Sequence, residues 1–310
     1  MTRSADSRVM EMKAVIAIDA KETKRERRRR RKFRPLERDR QVVRWVYEAG
    51  ATTREQVQRL LFSSGGRSRC QERLSLLVQN RYLDRLEGRQ PNQPDVYVVG
   101  RRSINGLRLL RANGLEARPR ALSPARLHHV LEVNACRIQI SAACSGGPLA
   151  LASWLDEDGL REVMAREPIL PDAYFQVVRV TSDGERRSAF FLEVERSDKA
   201  DRAVREKFLA YGRLYYGGRY DQLFGTRSLR VLVLVGDSYG IRPERRIEKF
   251  TEMAARLEVT FLRFAPLAAF LATAPAEAFK VPIWRRPGST EAEALFEMSP
   301  RSTSGVAGSR

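Results

Sequence analysis

The sequence has few residues of the types that build disulfide frameworks, zinc sites or nucleophilic active sites. Its 310 residues include three cysteines and two histidines. Cys70, Cys136 and Cys144 are widely spaced, odd in number and without His or Cys partners at metal-ligand spacing, which excludes a disulfide framework and a zinc site. Unpaired cysteines fit a reducing compartment, so we expect a cytoplasmic protein.

Long apolar runs and phosphate-binding glycine loops are also missing. No stretch approaches the roughly 20 consecutive apolar residues that a membrane-spanning helix needs, so a membrane is not an expected partner. No glycine-rich loop stands at a strand-to-helix turn, which excludes the Rossmann pattern. With 43% hydrophobic residues, the chain can nevertheless build one or two cores.

Negative charge is scarce in the first part of the chain. Residues 1–120 hold 30 basic and 14 acidic side chains, whereas the rest of the chain holds 27 and 24. A positive field confined to one end attracts a polyanion. Residues 1–33 end in a run of like charge that cannot form a core, so we expect a disordered basic arm. Its contacts with DNA phosphates are expected from Arg28, Arg29, Arg30, Arg31 and Lys32.

Residues 34–118 show the pattern of a winged helix-turn-helix domain. Three short helices are predicted, the second starting with a capping box at Thr53 and Gln56. Two short strands, 82–86 and 96–99, follow and are joined by a basic polar loop. The third helix, 67–80, is narrow enough for the major groove of double-stranded DNA. DNA contacts are therefore expected from this helix and the wing, at Arg67, Arg69, Gln71, Arg73, Arg85 and Arg89.

The order of helical and strand-like patterns in residues 124–288 predicts a three-layer α/β domain with a mixed sheet. A long helix is followed by strand-like runs at 149–155, 173–180 and 189–195, the last two joined by a hairpin signal. Helices then alternate with further strands, including a wholly apolar run at 229–235 that is typical of a strand buried on both faces. Residues 289–310 are rich in Gly, Ser and Pro and are expected to form a disordered tail.

Three carboxylates are expected to meet at one end of this sheet. Glu193 and Glu195 are two residues apart on a strand and therefore share a face, and a hairpin partner could bring Asp172 beside them. Such an oxygen-rich site would suit Mg²⁺, which could activate water and polarise a phosphodiester. Lys207 on the next helix could add a cation, and Glu132 on the preceding long helix a further carboxylate. The structural alternative is a strand edge whose acids pair with arginines.

The pair Pro171 and Asp172, the hairpin and the acidic strand resemble the PD-(D/E)xK nuclease superfamily. The resemblance implies a restriction-endonuclease-like fold with catalytic roles for Asp172, Glu193, Glu195 and Lys207. Glu195 stands where that pattern has lysine, and this departure predicts a degenerate nuclease-like domain. A magnesium-dependent DNA nuclease is the alternative.

A longer, ordered series of motifs resembles the replication-relaxation family of bacterial plasmid and integrative-element proteins. The matching stretches run from about residue 36 to 288 and include LERDRQVVRWVYEAGATTREQVQRLLF, HVLEVN, LPDAYF, FFLEVERS and REKFLAYGRLY. The resemblance implies a double-stranded DNA-binding protein in the replication, relaxation or mobilisation of a mobile element. Relaxase or replication proteins are the protein partners it suggests, and an oligomer is compatible with it. A winged-helix transcriptional regulator, with the second domain for dimerisation or sensing, is the further alternative.

Overall fold

The chain divides into two compact units, Met1–Val130 and Leu131–Arg310. The computed structural model describes residues 33–62, 65–86, 93–119, 122–181, 184–196, 201–237 and 242–296. The expected domain bounds, 34–118 and 124–288, stay a prediction. Within the described ranges, no helix combines the length and the apolar character needed to cross a membrane.

The first unit combines short helices with a small antiparallel sheet. Its helices are α1 (Glu37–Glu48), α2 (Arg54–Leu61), α3 (Arg67–Gln79) and α4 (Ile104–Ala112). Its strands are β1 (Thr52–Thr53), β2 (Asp84–Leu86) and β3 (Val96–Val98), in the spatial order β1-β3-β2. The first three helices and the strands β2 and β3 agree with the sequence pattern. β1 was not, because two threonines are too few to show a strand pattern.

Apolar side chains at helical spacing form the core of the first unit. The buried apolar residues of its first three helices are Val42, Val43, Val46, Val57, Cys70, Leu74 and Leu77. The predicted capping box at the start of α2 is present. The Thr53 hydroxyl accepts the Gln56 backbone N–H at 3.3 Å, and the Gln56 carboxamide oxygen accepts the Thr53 N–H at 3.1 Å.

A buried ion pair joins α1 to α3. Asp39 is almost completely buried, and its Oδ1 accepts a hydrogen bond from Arg73 Nε at 2.9 Å. Its Oδ2 accepts a second bond from the same guanidinium and one from the Leu36 backbone N–H at 2.7 Å. Such bidentate pairs are among the strongest side-chain hydrogen bonds. Arg73, one of the expected DNA contacts, therefore has a buried carboxylate as its partner, and its contact with DNA stays a prediction.

The second unit is built on a mixed sheet. Seven strands in its described residues take the order β10-β9-β8-β7-β6-β5-β4. They are β4 (Leu149–Asp156), β5 (Ala173–Thr181), β6 (Gly184–Glu195), β7 (Arg230–Val235), β8 (Leu262–Pro266), β9 (Trp284–Arg285) and β10 (Ala292–Glu293). β6, β7 and β8 pair in parallel, and the other neighbours pair antiparallel. The predicted α/β class, mixed sheet and hairpin are confirmed.

Helices cover both faces of this sheet. They are α5 (Pro124–Ala143), α6 (Glu157–Val163), α7 (Asp201–Tyr216), α8 (Arg219–Phe224), α9 (Pro243–Arg256) and α10 (Leu267–Ala272). Alternate residues of β6 enter two different apolar cores, because successive side chains of a strand point to opposite faces. Phe191 lies in one core with residues of α7 and α9, whereas Phe190 and Leu192 lie in the other with residues of α5 and α10.

The segment 289–296 belongs to the fold, which corrects the expectation of a tail from residue 289. Ala292 and Glu293 pair with β9, and Leu295 and Phe296 are buried. The Phe296 ring lies 5.4 Å from that of Phe279. A two-residue strand and two apolar side chains are too short a signal to stand out in a Gly- and Ser-rich segment. Residues 297–310 lie outside the described part of the chain.

Replacing Asp39 by alanine tests the ion pair between α1 and α3. Asp39→Ala leaves the partly buried Arg73 guanidinium without its carboxylate, which is expected to lower the free energy of unfolding of the first unit by about 3 kcal/mol. Chemical denaturation measures the loss. Glu37→Ala is the control, because Glu37 lies on the same helix and its side chain is 72% exposed in a 3.6 Å pair with Arg40. Equal stability of the two variants would contradict the role given to Asp39.

Candidate functional site

The acidic residues predicted to converge are brought to one end of the large sheet. Glu193 and Glu195 lie at the carboxyl end of β6, and Asp172 immediately precedes β5. The Asp172 backbone N–H donates to the Leu192 carbonyl at 3.1 Å, and the Val194 N–H donates to Asp172 Oδ2 at 2.7 Å. The antiparallel hairpin therefore holds Asp172 against the strand that carries both glutamates, as the alternation of side chains predicted.

Glu193 is enclosed by two polar groups of α7. Only 2% of the residue is exposed. Lys207 Nζ donates to Glu193 Oε2 at 2.6 Å, and the Tyr211 hydroxyl donates to Oε1. Lys207 and Tyr211 are four residues apart and therefore lie on one face of the helix. Both oxygens of the carboxylate are thus occupied by side chains of the same helix.

Burial and charge act against each other within this cluster. Burial raises the pKa of Glu193, while the Lys207 charge opposes the rise. Burial also disfavours the charge on Lys207, but the neighbouring Glu193 outweighs it and raises the pKa of Lys207. The pKa of Tyr211 is raised well above its ordinary value by burial and by the Glu193 charge. Lys207 therefore stays protonated and Tyr211 stays a hydrogen-bond donor across the physiological range.

Glu195 faces a different cation. Its Oε1 lies 3.8 Å from Nη2 of Arg246 on α9, and both side chains are less than a tenth exposed. The Arg246 guanidinium also donates to the Gly236 carbonyl at 3.4 Å and lies over the Phe250 ring. Glu193 and Glu195 line a common cavity of only about 10 Å³, which is roughly the space of one water molecule.

Glu132, the further carboxylate that the sequence suggested, is paired with an arginine. It lies on α5, and its Oε1 accepts a hydrogen bond from Arg196 at 2.7 Å. Burial raises the pKa of the Cys136 thiol, and the charges of Glu132 and Asp172 raise it further. α5 therefore does bring a fourth acidic residue toward this end of the sheet, with its own cation.

These side chains do not fit a magnesium ion as they are arranged. Mg²⁺ takes oxygen ligands in nearly regular octahedral geometry, whereas both Glu193 oxygens receive hydrogen bonds from α7. Among the described residues, no group of three or more acidic, histidine or cysteine side chains is placed to hold a metal ion. The expected set of Asp172, Glu193 and Glu195 is therefore close in space but is not a cation site in this arrangement.

The sequence indicates Lys207 as a possible cation beside the acidic residues, but it does not indicate Tyr211 or Arg246. Tyr211 lies four residues after Lys207, a spacing that lets both side chains of a helix reach one acid. Arg246 occupies a buried position of α9 beside Ile247. A charge on the apolar face of an amphipathic helix indicates a buried partner, but the sequence does not say which one.

The predicted DNA contacts of α3 separate into exposed and internal residues. Arg67 and Arg69, at the amino-terminal turn, are exposed. Gln71 is half-buried and hydrogen-bonds to the hydroxyl of Tyr97, whose pKa is raised mainly by burial. Arg73 is held by Asp39.

The remaining predicted DNA contacts are Arg85, Arg89 and the basic residues before residue 33. Arg85 is on β2, with its side chain 42% exposed in a 3.5 Å ion pair with Asp95. Arg89 and the arm residues fall outside the described part of the chain. The undescribed arm residues are Arg28, Arg29, Arg30, Arg31 and Lys32.

Replacing Lys207 by methionine tests whether the cation is needed to bury Glu193. Methionine keeps most of the volume but leaves the buried carboxylate with the Tyr211 hydroxyl alone, and we expect a loss of about 3 kcal/mol in the free energy of unfolding. Arg205→Met is the control, because Arg205 lies on the same helix in an exposed pair with Glu206. Denaturation of both variants measures the difference, and an undiminished stability of Lys207→Met would overturn the structural role of the pair.

Comparison with known proteins identifies the family of the chain. Residues 43–226 match the family model described as Replication-relaxation. No curated protein and no solved structure matches the chain. The family description indicates a role in replication or relaxation. The matched region runs from α1 to the end of α8 and covers more than half of the sequence, so this protein belongs to the replication-relaxation family.

Proposed function

We propose that the protein binds double-stranded DNA through its first unit while it acts in replication or relaxation. In this proposal the first unit is a winged helix-turn-helix. Its order of elements supports the assignment, because helix, short strand, two helices and a two-stranded wing follow one another, and β1 pairs with the second strand of the wing. α3 is then the helix that enters the major groove.

The start of α3 is the observation that carries the proposal. Its first turn contains the exposed Arg67 and Arg69 and no acidic residue, and its N-cap, Gly66, supplies no side-chain hydrogen bond. Cations are unfavourable at a helix amino terminus, where the macrodipole is positive. Helix stability therefore does not explain these arginines. The same arrangement is well suited to a phosphate, which accepts hydrogen bonds from both the backbone N–H groups and the guanidinium groups.

The wing and the arm extend this surface. Arg85 is partly exposed despite its pair with Asp95, so that a flanking phosphate can reach its charge. Arg89 and the residues Arg28 to Lys32 would add further contacts to the sequence-independent part of the affinity. Protein partners from the replication or relaxation machinery, including a relaxase, remain a prediction of the family assignment.

A DNA-binding measurement with a charge-matched control tests the role of α3. The double variant Arg67→Ala and Arg69→Ala is expected to weaken binding to a random-sequence duplex. It should also reduce the slope of log K against log salt by about two, because two phosphate contacts are lost. The control, Arg44→Ala with Arg108→Ala, removes the same charge from exposed positions of α1 and α4. Identical slopes for the two double variants would contradict a specific role of α3.

We further propose that the second unit has a nuclease-like fold that no longer cleaves DNA. Lys207 and Tyr211 close off Glu193, which supports this proposal. Glu195, which stands where the nuclease pattern has lysine, faces Arg246 and supports it as well. The enclosed cavity next to both glutamates is too small for a phosphodiester. Catalysis by Asp172, Glu193, Glu195 and Lys207 would require α7 to move away from the sheet.

Incubation with supercoiled plasmid and Mg²⁺ distinguishes an inactive nuclease-like second unit from a magnesium-dependent nuclease. We expect the wild-type protein and Glu193→Gln to leave the plasmid equally intact, because Glu193 acts within the core. Conversion to nicked circles is measured on an agarose gel. Nicking by the wild type that Glu193→Gln lacks would establish the magnesium-dependent nuclease instead.

A further inference from the structure

A cluster of arginines lies on the second unit, away from the acidic end of the sheet. Arg230 is the first residue of β7, and Arg263 lies near the start of β8, whereas the glutamates lie at the carboxyl end of the parallel β6. Arg263 Nε lies 2.9 Å from Glu293 Oε1, and Arg286 Nε lies 2.8 Å from Glu293 Oε2. One carboxylate on β10 thus orients two guanidinium groups.

Positive charge exceeds negative charge within this cluster. Burial lowers the pKa of Arg263, and the positive charges of Arg230 and Arg286 lower it further. The negative charge of Glu293 raises the pKa and so opposes the shift. The pKa of Arg230 is lowered in the same way by burial, with Arg179 adding to the effect. Glu293 therefore holds the arginines in place without cancelling their field. A cluster with more positive than negative charge attracts an anion.

An open cleft of about 630 Å³ lies at this cluster, a volume within the range of small-ligand sites. Its lining includes Arg263, Arg286, Thr260 and the turn 288–290. Arg263 is held firmly, because its Nη1 donates to the carbonyls of Thr260 and Leu262 at 2.9 and 2.8 Å. Arg286 is 58% exposed, and its terminal amino groups have no hydrogen-bond partner among the described residues.

An aromatic side chain stands beside the cleft. The Tyr216 hydroxyl donates to the Glu258 carbonyl at 2.8 Å and lies 3.4 Å from the hydroxyl of Thr260, which lines the cleft. Tyr216 is nevertheless 57% exposed. An exposed tyrosine beside a cleft that two arginines line is a combination that can hold a nucleotide, because the base can stack on the ring while the phosphate pairs with the cations.

We propose that this cleft binds the phosphate of a nucleotide, with Arg286 and Arg263 holding its charged oxygens and Tyr216 stacking on the base. Arginine suits this role because its planar fork can donate two hydrogen bonds to one phosphate. Glu291 also lines the cleft, so the phosphate lies on the side formed by the two arginines. The same chemistry is presented by a free nucleotide and by a single DNA strand. This site does not depend on DNA binding by the first unit.

Binding of short probes to the full chain tests the cleft. All proteins carry Arg67→Ala and Arg69→Ala, so that the proposed DNA-binding helix contributes little. The probes are ATP and a fluorescent five-residue thymidine oligonucleotide, measured by calorimetry and anisotropy. Arg286→Ala is expected to weaken binding about tenfold, the typical effect of losing a charged hydrogen bond. Arg256→Ala, which removes the same charge from an 80% exposed position of α9, should change it less than twofold.

The two probes distinguish the source of the phosphate. ATP binding that depends on Arg286 supports a free nucleotide, whereas binding of the oligonucleotide alone supports a DNA strand. Tyr216→Ala should weaken either probe but leave competition by inorganic phosphate unchanged, because inorganic phosphate has no base to stack. Failure of both probes to bind, or equal losses for Arg286→Ala and Arg256→Ala, would overturn the proposal whatever the first unit does.

Discussion

A carboxylate buried at the end of β6 constrains the arrangement of the second unit. An ionised group removed from water costs several kcal/mol unless a partner of opposite charge reaches it. α7 supplies that partner, since it crosses this end of the sheet with Lys207 and Tyr211 directed at Glu193. The same helix buries Val204 and Phe208 against the sheet. The contacts of Lys207 and Tyr211 with Glu193 and the apolar packing of Val204 and Phe208 therefore place α7 at the same position on the sheet.

Arginines serve two opposite purposes in this protein. Some are internal connectors: Arg73 joins α3 to Asp39, and Arg246 lies between Glu195 and the Gly236 carbonyl. Others, such as Arg67 and Arg286, are exposed, and we propose that they bind an external anion. Net charge alone does not separate the two groups, because a guanidinium counts equally whether its partner is a buried aspartate or a phosphate in solution. The basic balance of the first part of the chain therefore overstates the number of its arginines that are accessible at the surface.

Periodicity made much of the fold predictable. The helical spacing of Val42, Val43 and Val46 and the capping box of Thr53 and Gln56 located the first helices, and the hairpin and apolar strands located the centre of the large sheet. The misses share a physical cause. β1, β9 and β10 are two residues long, so their strand character comes from the neighbours they pair with and not from their own pattern. The tail was misjudged for the same reason, as Leu295 and Phe296 are buried only because the core offers them a place.

Within the site, the sequence by itself determined which acids share a face, because side chains alternate along a strand whatever surrounds it. It also determined the α/β class, the family and the surplus of positive charge at one end. Only the tertiary structure decided what each charge meets: Lys207 and Tyr211 at Glu193, Arg246 at Glu195 and Asp39 at Arg73. Lys207 and Tyr211 lie on the helix that follows β6, whereas Arg246 lies farther along the chain, and the approach of each partner depends on how the helices pack. The spacing of residues along a strand or helix determines the direction in which their side chains point. The packing of the elements determines the distance between charges, and this distance decides whether a carboxylate binds a metal or an ammonium group.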